Sequence, residues 1–409
     1  MIQFVALCAV GAESILSNEL KLLHFKPLSK LHGSTLPGRV FFTSAEKEPA
    51  ALSMLRANFY LRTADRIYLA LHTFYADNFD ALFNTIVSLD WQQFFQKDAK
   101  IIVDKVRTFK SILSSEHAIQ KAVHKAIYSS LCKVWHMHVL PETGKQYTVR
   151  IYIEHNQVHV LLDLSGEPLH RRGYRLSGGT APMRETLAAV LLQCLYWKRK
   201  LPLHDAFCGS GTIPIEAAWF AYNIPPGINR RFAFEDFACF QSKDLLQLFE
   251  QERRKGILAI RTDCLVRVSG SDNDGKAVSL AQKNAERACM IAGRALQRVG
   301  KDNRIPRPDF IQADVTELTA PYPEGVLLSN PPYGERLGSE QEAAALYRQM
   351  TVLPREFEKW RMGFITDKPI FAEIFERKGI ALKKRPLKSG NLDTCLYSVE
   401  NTLPHSAVN

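Results

Sequence analysis

The sequence predicts two folds in one chain: an α+β N-terminal half, then an α/β half built on a doubly wound parallel sheet. Three observations carry this. The 409 residues exceed one ordinary core at roughly 100–200 residues per domain. Short strands and helices mix irregularly through the first 165 residues. After Ser165 the order becomes strand, turn, helix, repeated.

Ile2 to Cys8 is a β-type run, and Gly11 to Phe25 spaces Ile15, Leu16, Leu20 and Leu23 as one helix face. Arg39 to Thr43, Arg66 to Thr73 and Ile101 to Val106 read as strands, with a helix from Ser115 to Lys133. A hairpin follows, Tyr147 to Glu154 and Val158 to Leu164, turning at His155-Asn156. Val149, Ile151, Ile153 and Val158, Val160, Leu162 alternate, which predicts a sheet with one buried face. In the second half Pro202 to Phe207 is a buried strand, followed by Cys208-Gly209-Ser210-Gly211 and a helix through Tyr222. Val266 to Ser271 is a strand, with a helix from Asp274 to Ala292 behind it. Asp309 to Gln312, Gly325 to Ser329, Met362 to Thr366, Ile380 to Lys384 and Cys395 to Val399 complete the set. Strands alternating with helices imply right-handed crossovers and parallel pairing. The boundary falls between Ser165 and Gly179.

Composition narrows the function classes. Hydrophobic residues make up 46% and charged ones 23%, which excludes a wholly disordered chain or a collagen. No apolar stretch approaches the ~20 residues of a membrane span. The eight cysteines stand singly with no Cys-x-x-Cys pair, so neither a zinc site nor any other metal site is expected. Scattered thiols read as reduced, and the opening Met1-Ile2-Gln3-Phe4-Val5 reads as a strand and not an export signal, so the expected location is the cytoplasm. Net charge is +11, an excess that fits a polyanionic partner. From Lys97 to Arg150 ten Lys/Arg face four acids. There His117, Lys121, His124 and Lys125 share adjacent helical turns, either along a phosphate backbone or as a solvated face.

Four clusters carry chemistry. The first is Asp205-Ala206-Phe207-Cys208-Gly209-Ser210-Gly211-Thr212, a Gly-x-Gly at a strand's carboxyl end, where the backbone can approach a ligand closely. No Gly-Lys-Ser/Thr follows, and Pro214 replaces the third glycine of a dinucleotide fingerprint, so a pyrophosphate cofactor is disfavoured. The second is Ser271-Asp272-Asn273-Asp274, whose Asp272 can accept both hydroxyls of a ribose, while Asp274 is the better helix cap. About 60 residues separate it from the glycine turn, against ~20 in the usual pattern, which marks an insertion of ~40 residues. The third is Asp314, placed to accept an adenine amino group or to cap a helix. The fourth is Asn330-Pro331-Pro332-Tyr333. An amine attached to a nucleobase is a poor nucleophile, because its lone pair is delocalised into the ring. The Asn330 amide oxygen and the Pro331 carbonyl are two acceptors for its two hydrogens, and Tyr333 offers a stacking face for a base taken out of its stack.

Together, Asp-Ala-Phe-Cys-Gly-Ser-Gly-Thr, Gly-Ser-Asp-Asn-Asp and Asn-Pro-Pro-Tyr-Gly-Glu-Arg-Leu resemble class I S-adenosylmethionine methyltransferases acting on base amino groups. Leu169 to Arg175 and Ala181 to Ala188 resemble one subfamily, the THUMP-domain RNA guanine-N2 methyltransferases. The resemblance implies a ferredoxin-like subdomain over 1–60, a THUMP RNA-binding domain over 61–165 and a Rossmann-like methyltransferase domain over 166–409. It implies S-adenosyl-L-methionine as cofactor, with Gly209 and Gly211 beneath it and Asp205 fixing the turn. Asp272 would bind the ribose hydroxyls, Asp314 would orient the adenine, Thr180, Ala181 and Arg184 would line the methionine end, and Phe207 and Asn273 would also contact the cofactor. Asn330, Pro331 and Tyr333 would hold the target base. Arg171, Arg172 and Arg175 would continue a basic path at the junction. The leading expectation is N2-methylation of a guanine in 23S rRNA. The alternatives are an N6-adenine methyltransferase on DNA or RNA, and a non-catalytic RNA-binding assembly factor.

Overall fold

A computed structural model describes residues 2–28, 37–44, 48–176, 183–263, 265–302, 304–332, 340–390 and 392–399. The chain divides into two units. One holds Met1–Cys8, Leu16–Leu169 and Arg230–Arg254, and the other Ala9–Ile15, His170–Asn229 and Lys255–Asn409.

In the first unit the strands are β1 (Gln3–Leu7), β2 (Lys26–Pro27), β3 (Arg39–Thr43), β4 (Arg66–Tyr75), β5 (Lys100–Val103), β6 (Arg107–Phe109), β7 (Gln146–Glu154) and β8 (Gln157–Asp163). Helices α1 (Glu13–Leu22), α2 (Ala50–Tyr60), α3 (Phe79–Ser88) and α4 (Glu116–Trp135) accompany them, and the first three residues of α1 lie in the other unit. The strands form one sheet in the order β2-β3-β1-β4-β8-β7-β5, with β6 also on β7. Strand β4 joins the two parts: its start pairs with β1, and Tyr68 to Tyr75 pair with β8. The β7–β8 turn puts His155 at φ 50° and Asn156 at φ 62°, the doubly left-handed turn whose twist suits a two-residue hairpin.

Alternation predicts one buried face here, and the structure covers both. Val149, Ile151 and Ile153 are fully buried on one side. On the other, Tyr152 and Leu161 pack with Val5, Phe41 and Tyr68. The Arg39 guanidinium lies 4.0 Å over the Tyr152 ring and Arg150 lies 5.2 Å over Tyr68. A long cation laid on a ring counts as polar in a sequence pattern yet covers apolar surface.

The second unit follows the strand–helix alternation. Its strands are β9 (Leu203–Asp205), β10 (Val268–Asp272), β11 (Asp309–Gln312), β12 (Gly325–Ser329), β13 (Trp360–Thr366), β14 (Leu382–Ser389) and β15 (Leu392–Val399). Helices α5 (Glu185–Cys194), α6 (Thr212–Ala221), α7 (Lys243–Leu258), α8 (Gly275–Arg298), α9 (Glu340–Met350), α10 (Leu353–Glu356) and α11 (Ile370–Arg377) connect them, and α7 begins in the other unit. The order is β11-β10-β9-β12-β13-β15-β14. The first five strands in this order are parallel, but β15 runs antiparallel to β13 and β14 antiparallel to β15. The sheet is therefore mixed, where alternation alone predicts parallel pairing throughout. Only residues 390 and 391 separate β14 from β15, too few for a parallel crossover.

Apolar clusters cover both faces, as a parallel sheet requires. One gathers Leu327, Tyr347, Phe364, Phe371 and Phe375, the other Trp219, Ala285, Leu296 and Phe310. The chain leaves β9 for β10 on one side and returns to β12 on the other. In an open sheet of this kind ligands bind at such a reversal, here the carboxyl ends of β9 and β12.

Of the insertion expected over Ile224 to Arg261, Arg230–Arg254 pack within the first unit, although chain order places them between strands of the second. Phe237 meets Phe94 and Tyr147, Arg253 binds Glu235 at 2.6 Å, and the Tyr60 hydroxyl donates to Glu252 at 3.1 Å. Conversely, Arg385 on β14 donates to the Gly11 carbonyl and the Ser14 hydroxyl, each at 3.0 Å, which ties residues 9–15 to the second unit's hairpin. Among the described residues no helix is long and apolar enough to cross a membrane, and no group of three or more metal-ligating side chains occurs.

Candidate active site at the sheet's carboxyl edge

Strand β9 delivers the glycine turn and α6 carries the chain away from it. Gly209 sits at φ 51° and Gly211 at φ 81°, conformations that side chains resist. Their surroundings differ. A Cβ on Gly211 would stand 3.0 Å from both Ala281 Cβ and Phe310 Cζ, whereas one on Gly209 would meet nothing within 4 Å. One glycine thus lets the turn pack against α8 and β11, and the other leaves an open face.

Neighbouring strands hold the turn. Asp272, at the end of β10, accepts from the Gly209 N–H at 2.9 Å through one oxygen and from the Asp274 N–H at 3.0 Å through the other. Asp274 caps α8 by accepting from Lys276 N–H. On the β12 side the Ser329 hydroxyl accepts from Ala206 N–H at 2.8 Å, and Asp205 accepts from Phe207 N–H at 3.1 Å. Asp205 is 1% exposed, and burial pushes its carboxyl up to about 7, against the pull of the Phe207 N–H and the Ser329 hydroxyl. Ser329 therefore links the glycine turn to the residue that follows it, Asn330.

Asn330 is half-buried, and its amide oxygen is buried with no hydrogen-bond partner among the described residues. Leaving such an acceptor unmet costs about 1–3 kcal/mol. Pro331 is buried beside it, while Tyr333 and Thr180 lie outside the described residues. Asn273 is exposed, and its carbonyl accepts from Gln312 at 3.0 Å. Phe207 is half-buried against the Leu327 cluster. Arg184 is exposed and stands at the start of α5. Asp314 is exposed and caps the short turn Val315–Glu317, and the Thr316 hydroxyl holds its carboxyl below the usual range. Both capping bonds end on one oxygen, Oδ1, which leaves Oδ2 available.

The junction arginines do not all reach solvent. Arg172 is 3% exposed and pairs with buried Glu216 at 3.5 Å, and the Tyr174 hydroxyl donates to the same carboxylate. Arg175 pairs with Glu185 at 3.4 Å and donates to Met183 O at 2.8 Å and Thr212 Oγ1 at 3.0 Å. Burial pushes Glu185 up to about 7 against the attraction of Arg175. A basic path through Arg172 and Arg175 is thus replaced by a buried ion network, and of the three only Arg171 is exposed.

Sequence reasoning also missed residues that support the turn from a distance. Asn284, on α8 and fully buried, donates to Ser210 O at 2.9 Å and accepts from Leu176 N–H at 3.0 Å. His204 lies between Ser269 and Ser271, at 2.8 and 3.0 Å from their hydroxyls, and burial lowers its imidazole to about 4. It therefore stays neutral at physiological pH and joins β9 to β10. The available signal was polarity inside a buried element: Asn284 falls among alanines, and His204 inside an apolar strand.

An open glycine face, a carboxylate at the end of β10 and an idle amide acceptor at the end of β12 suit an adenosine-type cofactor beside an amine. With this strand order, fold and site define a class I methyltransferase, an enzyme that takes its methyl group from S-adenosylmethionine. The comparisons specify it further. Residues 172–398 match the RMKL-like methyltransferase domain, 3–68 the RlmL ferredoxin-like domain and 76–163 the THUMP domain. The chain belongs to the RMKL-like methyltransferase family. It is 35% identical, over 96% of its length and 94% of the relative's, to a Bacillus subtilis (strain 168) protein named "Putative RNA methyltransferase YpsC". It is 28% identical over 89% of its length to the ribosomal RNA large subunit methyltransferase K/L of Shewanella frigidimarina (strain NCIMB 400), of which it spans 48%. The crystal structure of SMU.472 complexed with SAH superposes with a TM-score of 0.82 at 31% identity, covering 98% of this chain and 99% of that one.

The Asn284 bridge yields a prediction. Asn284→Ala leaves Ser210 O and Leu176 N–H without partners, at a cost of about 1–3 kcal/mol in stability. The KM for S-adenosylmethionine should rise roughly tenfold while kcat at saturation holds, since one lost buried bond of ~1.4 kcal/mol acts on the cofactor turn and not on the amine. Thermal melts and steady-state kinetics check this, and an unchanged KM would leave Asn284 a packing residue only.

Proposed function

We propose that this chain transfers a methyl group from S-adenosylmethionine to the exocyclic N2 of a guanine in 23S (large-subunit) rRNA, in the cytoplasm. The observation that carries the reading is the unpartnered, buried Oδ1 of Asn330, linked through Ser329 to the glycine turn. The THUMP match over 76–163, the K/L relative's printed name and the net charge of +11 support RNA as substrate.

Gly209, Gly211 and Phe207 would face the cofactor, with Asp272 and Asn273 at its ribose and Asp314 at its adenine through Oδ2. Thr180 and Arg184 would complete that side, and Asp205 would set the turn. When bound, S-adenosylmethionine supplies an electrophilic methyl on a sulfonium that departs as a neutral thioether. This chain's own contribution is positioning and charge stabilisation. Asn330 Oδ1 and the Pro331 carbonyl each accept one amine hydrogen, which draws the nitrogen out of conjugation and turns its lone pair toward the methyl carbon. Positive charge that grows on the nitrogen is met by the same two oxygens, and the surplus proton passes to water. Tyr333 would stack on the base.

The test is transfer of labelled methyl to 23S rRNA from cells lacking this gene, followed by nucleoside mass spectrometry. N2-methylguanosine is expected. N6-methyladenosine would move the reading to adenine, and absence of any transfer to RNA would overturn it.

A further inference from the structure

The methyltransferase unit carries a basic groove of its own. Helix α8 buries Val278, Ala281, Ala285, Ala288, Ala292 and Leu296 against the sheet. Its outer side exposes Arg287, Arg294 and Arg298. Spacings of seven and four residues put these on one stripe, spanning about 16 Å at ~1.5 Å rise per residue. The segment after the helix brings Arg304 and Arg307 alongside. The result is a groove of about 700 Å³ that includes Arg294, Arg304 and Arg307, and an adjoining one of about 310 Å³ that includes Arg287, Arg294 and Arg298. Arg294 lines both, so the two run together.

The local charge is not balanced. Glu286 and Asp302 are the carboxylates on these walls. Glu286 is spent on Arg307 at 2.7 Å, and Asp302 accepts from the Arg304 backbone N–H at 3.1 Å. Arg287 is held by the Tyr174 carbonyl at 3.1 Å. Among the described residues the guanidinium groups of Arg294, Arg298 and Arg304 have neither an ion pair nor a hydrogen bond. An ordinary solvated helix face sets acids four residues from its cations. Here Arg294 and Arg298 stand four apart as a like-charged pair, an arrangement that weakens an isolated helix. Free arginines gathered in a concavity at some cost fit a polyanion, and the planar fork of each guanidinium matches a pair of phosphate oxygens.

We infer that the Arg294–Arg298–Arg304 groove on the outer face of α8 grips the phosphate backbone of the substrate RNA. The inference rests on the reading above that the substrate is RNA. It adds a second contact, on the catalytic unit itself, to the one expected of the THUMP domain. The stripe is long enough to follow several consecutive phosphates, and it would hold the strand by charge without reading its bases.

The test uses the full chain and a fluorescent 23S rRNA fragment, with anisotropy titrations from about 50 to 200 mM KCl. Arg294→Gln/Arg298→Gln/Arg304→Gln should weaken binding roughly tenfold or more and flatten the plot of log affinity against log salt by about 2 units, since each phosphate contact contributes ~0.7–0.9. The triple Lys variant should keep most of the slope, and calorimetric affinity for S-adenosylmethionine should stay unchanged in both, which excludes a folding defect. Gln variants that bind RNA with wild-type affinity and slope overturn the groove alone. A wild-type chain that binds no RNA overturns the groove together with the RNA reading of the function.

Discussion

Asn330→Ala is expected to abolish most methyl transfer and to leave cofactor binding intact. Among the described residues the side-chain oxygen that this substitution removes has no hydrogen-bond partner, so little of the fold depends on it. What would be lost is one of the two acceptors proposed for the amine. Removing one preorganised charge-stabilising group from an active site costs about 10²–10³ in kcat, or ~2.7–4 kcal/mol. Asn330→Asp keeps an acceptor oxygen in the same place and should retain more activity than the alanine variant. Single-turnover transfer to 23S rRNA, with calorimetry of S-adenosylmethionine binding, separates the two effects. Undiminished transfer by Asn330→Ala would remove the amine-clamping role from this residue.

The second large effect divides the two turn glycines. Gly209→Ala should reduce affinity for S-adenosylmethionine at least a hundredfold, while stability falls by only about 1 kcal/mol, the left-handed backbone penalty at φ 51°. Its new methyl group meets no protein atom within 4 Å, so it occupies the open face where a ligand would lie. Gly211→Ala should do the opposite. Its methyl group would press at 3.0 Å on Ala281 and Phe310, which costs roughly 2–4 kcal/mol of overpacking and backbone strain and lowers the melting temperature before cofactor is added. Melting curves with and without cofactor distinguish the pair. If Gly209→Ala bound cofactor as tightly as wild type, the open face would not be the cofactor side.

Much of the fold is legible in sequence wherever a short-range rule applies. The β7–β8 hairpin, the α4 helix and the strand before each chemical cluster follow from alternation, helical spacing and turn residues. So does the choice of Asp274 over Asp272 as the cap of α8. Lys121 and Lys125 stay exposed on α4, as their spacing predicts. Polarity along the chain does not report exposure: Arg39 and Arg150 lie on tyrosine rings and Arg172 is buried with Glu216. Periodicity records where apolar side chains repeat. It holds no information on which distant carboxylate or ring a cation will meet.

By itself the sequence determined the class of this protein: a glycine turn after a buried strand, an acid ending the next one, and Asn330-Pro331-Pro332 after another. Those features are local, because φ > 0 selects glycine and ring closure fixes proline wherever the chain goes. The tertiary structure alone decided that Asn284 pins Ser210 and Leu176, that residues 230–254 fold with the N-terminal unit, and that Arg294, Arg298 and Arg304 share one groove. Each of these depends on segments brought together from distant parts of the chain. Burial of the apolar faces sets their placement, and no spacing rule along one segment encodes it.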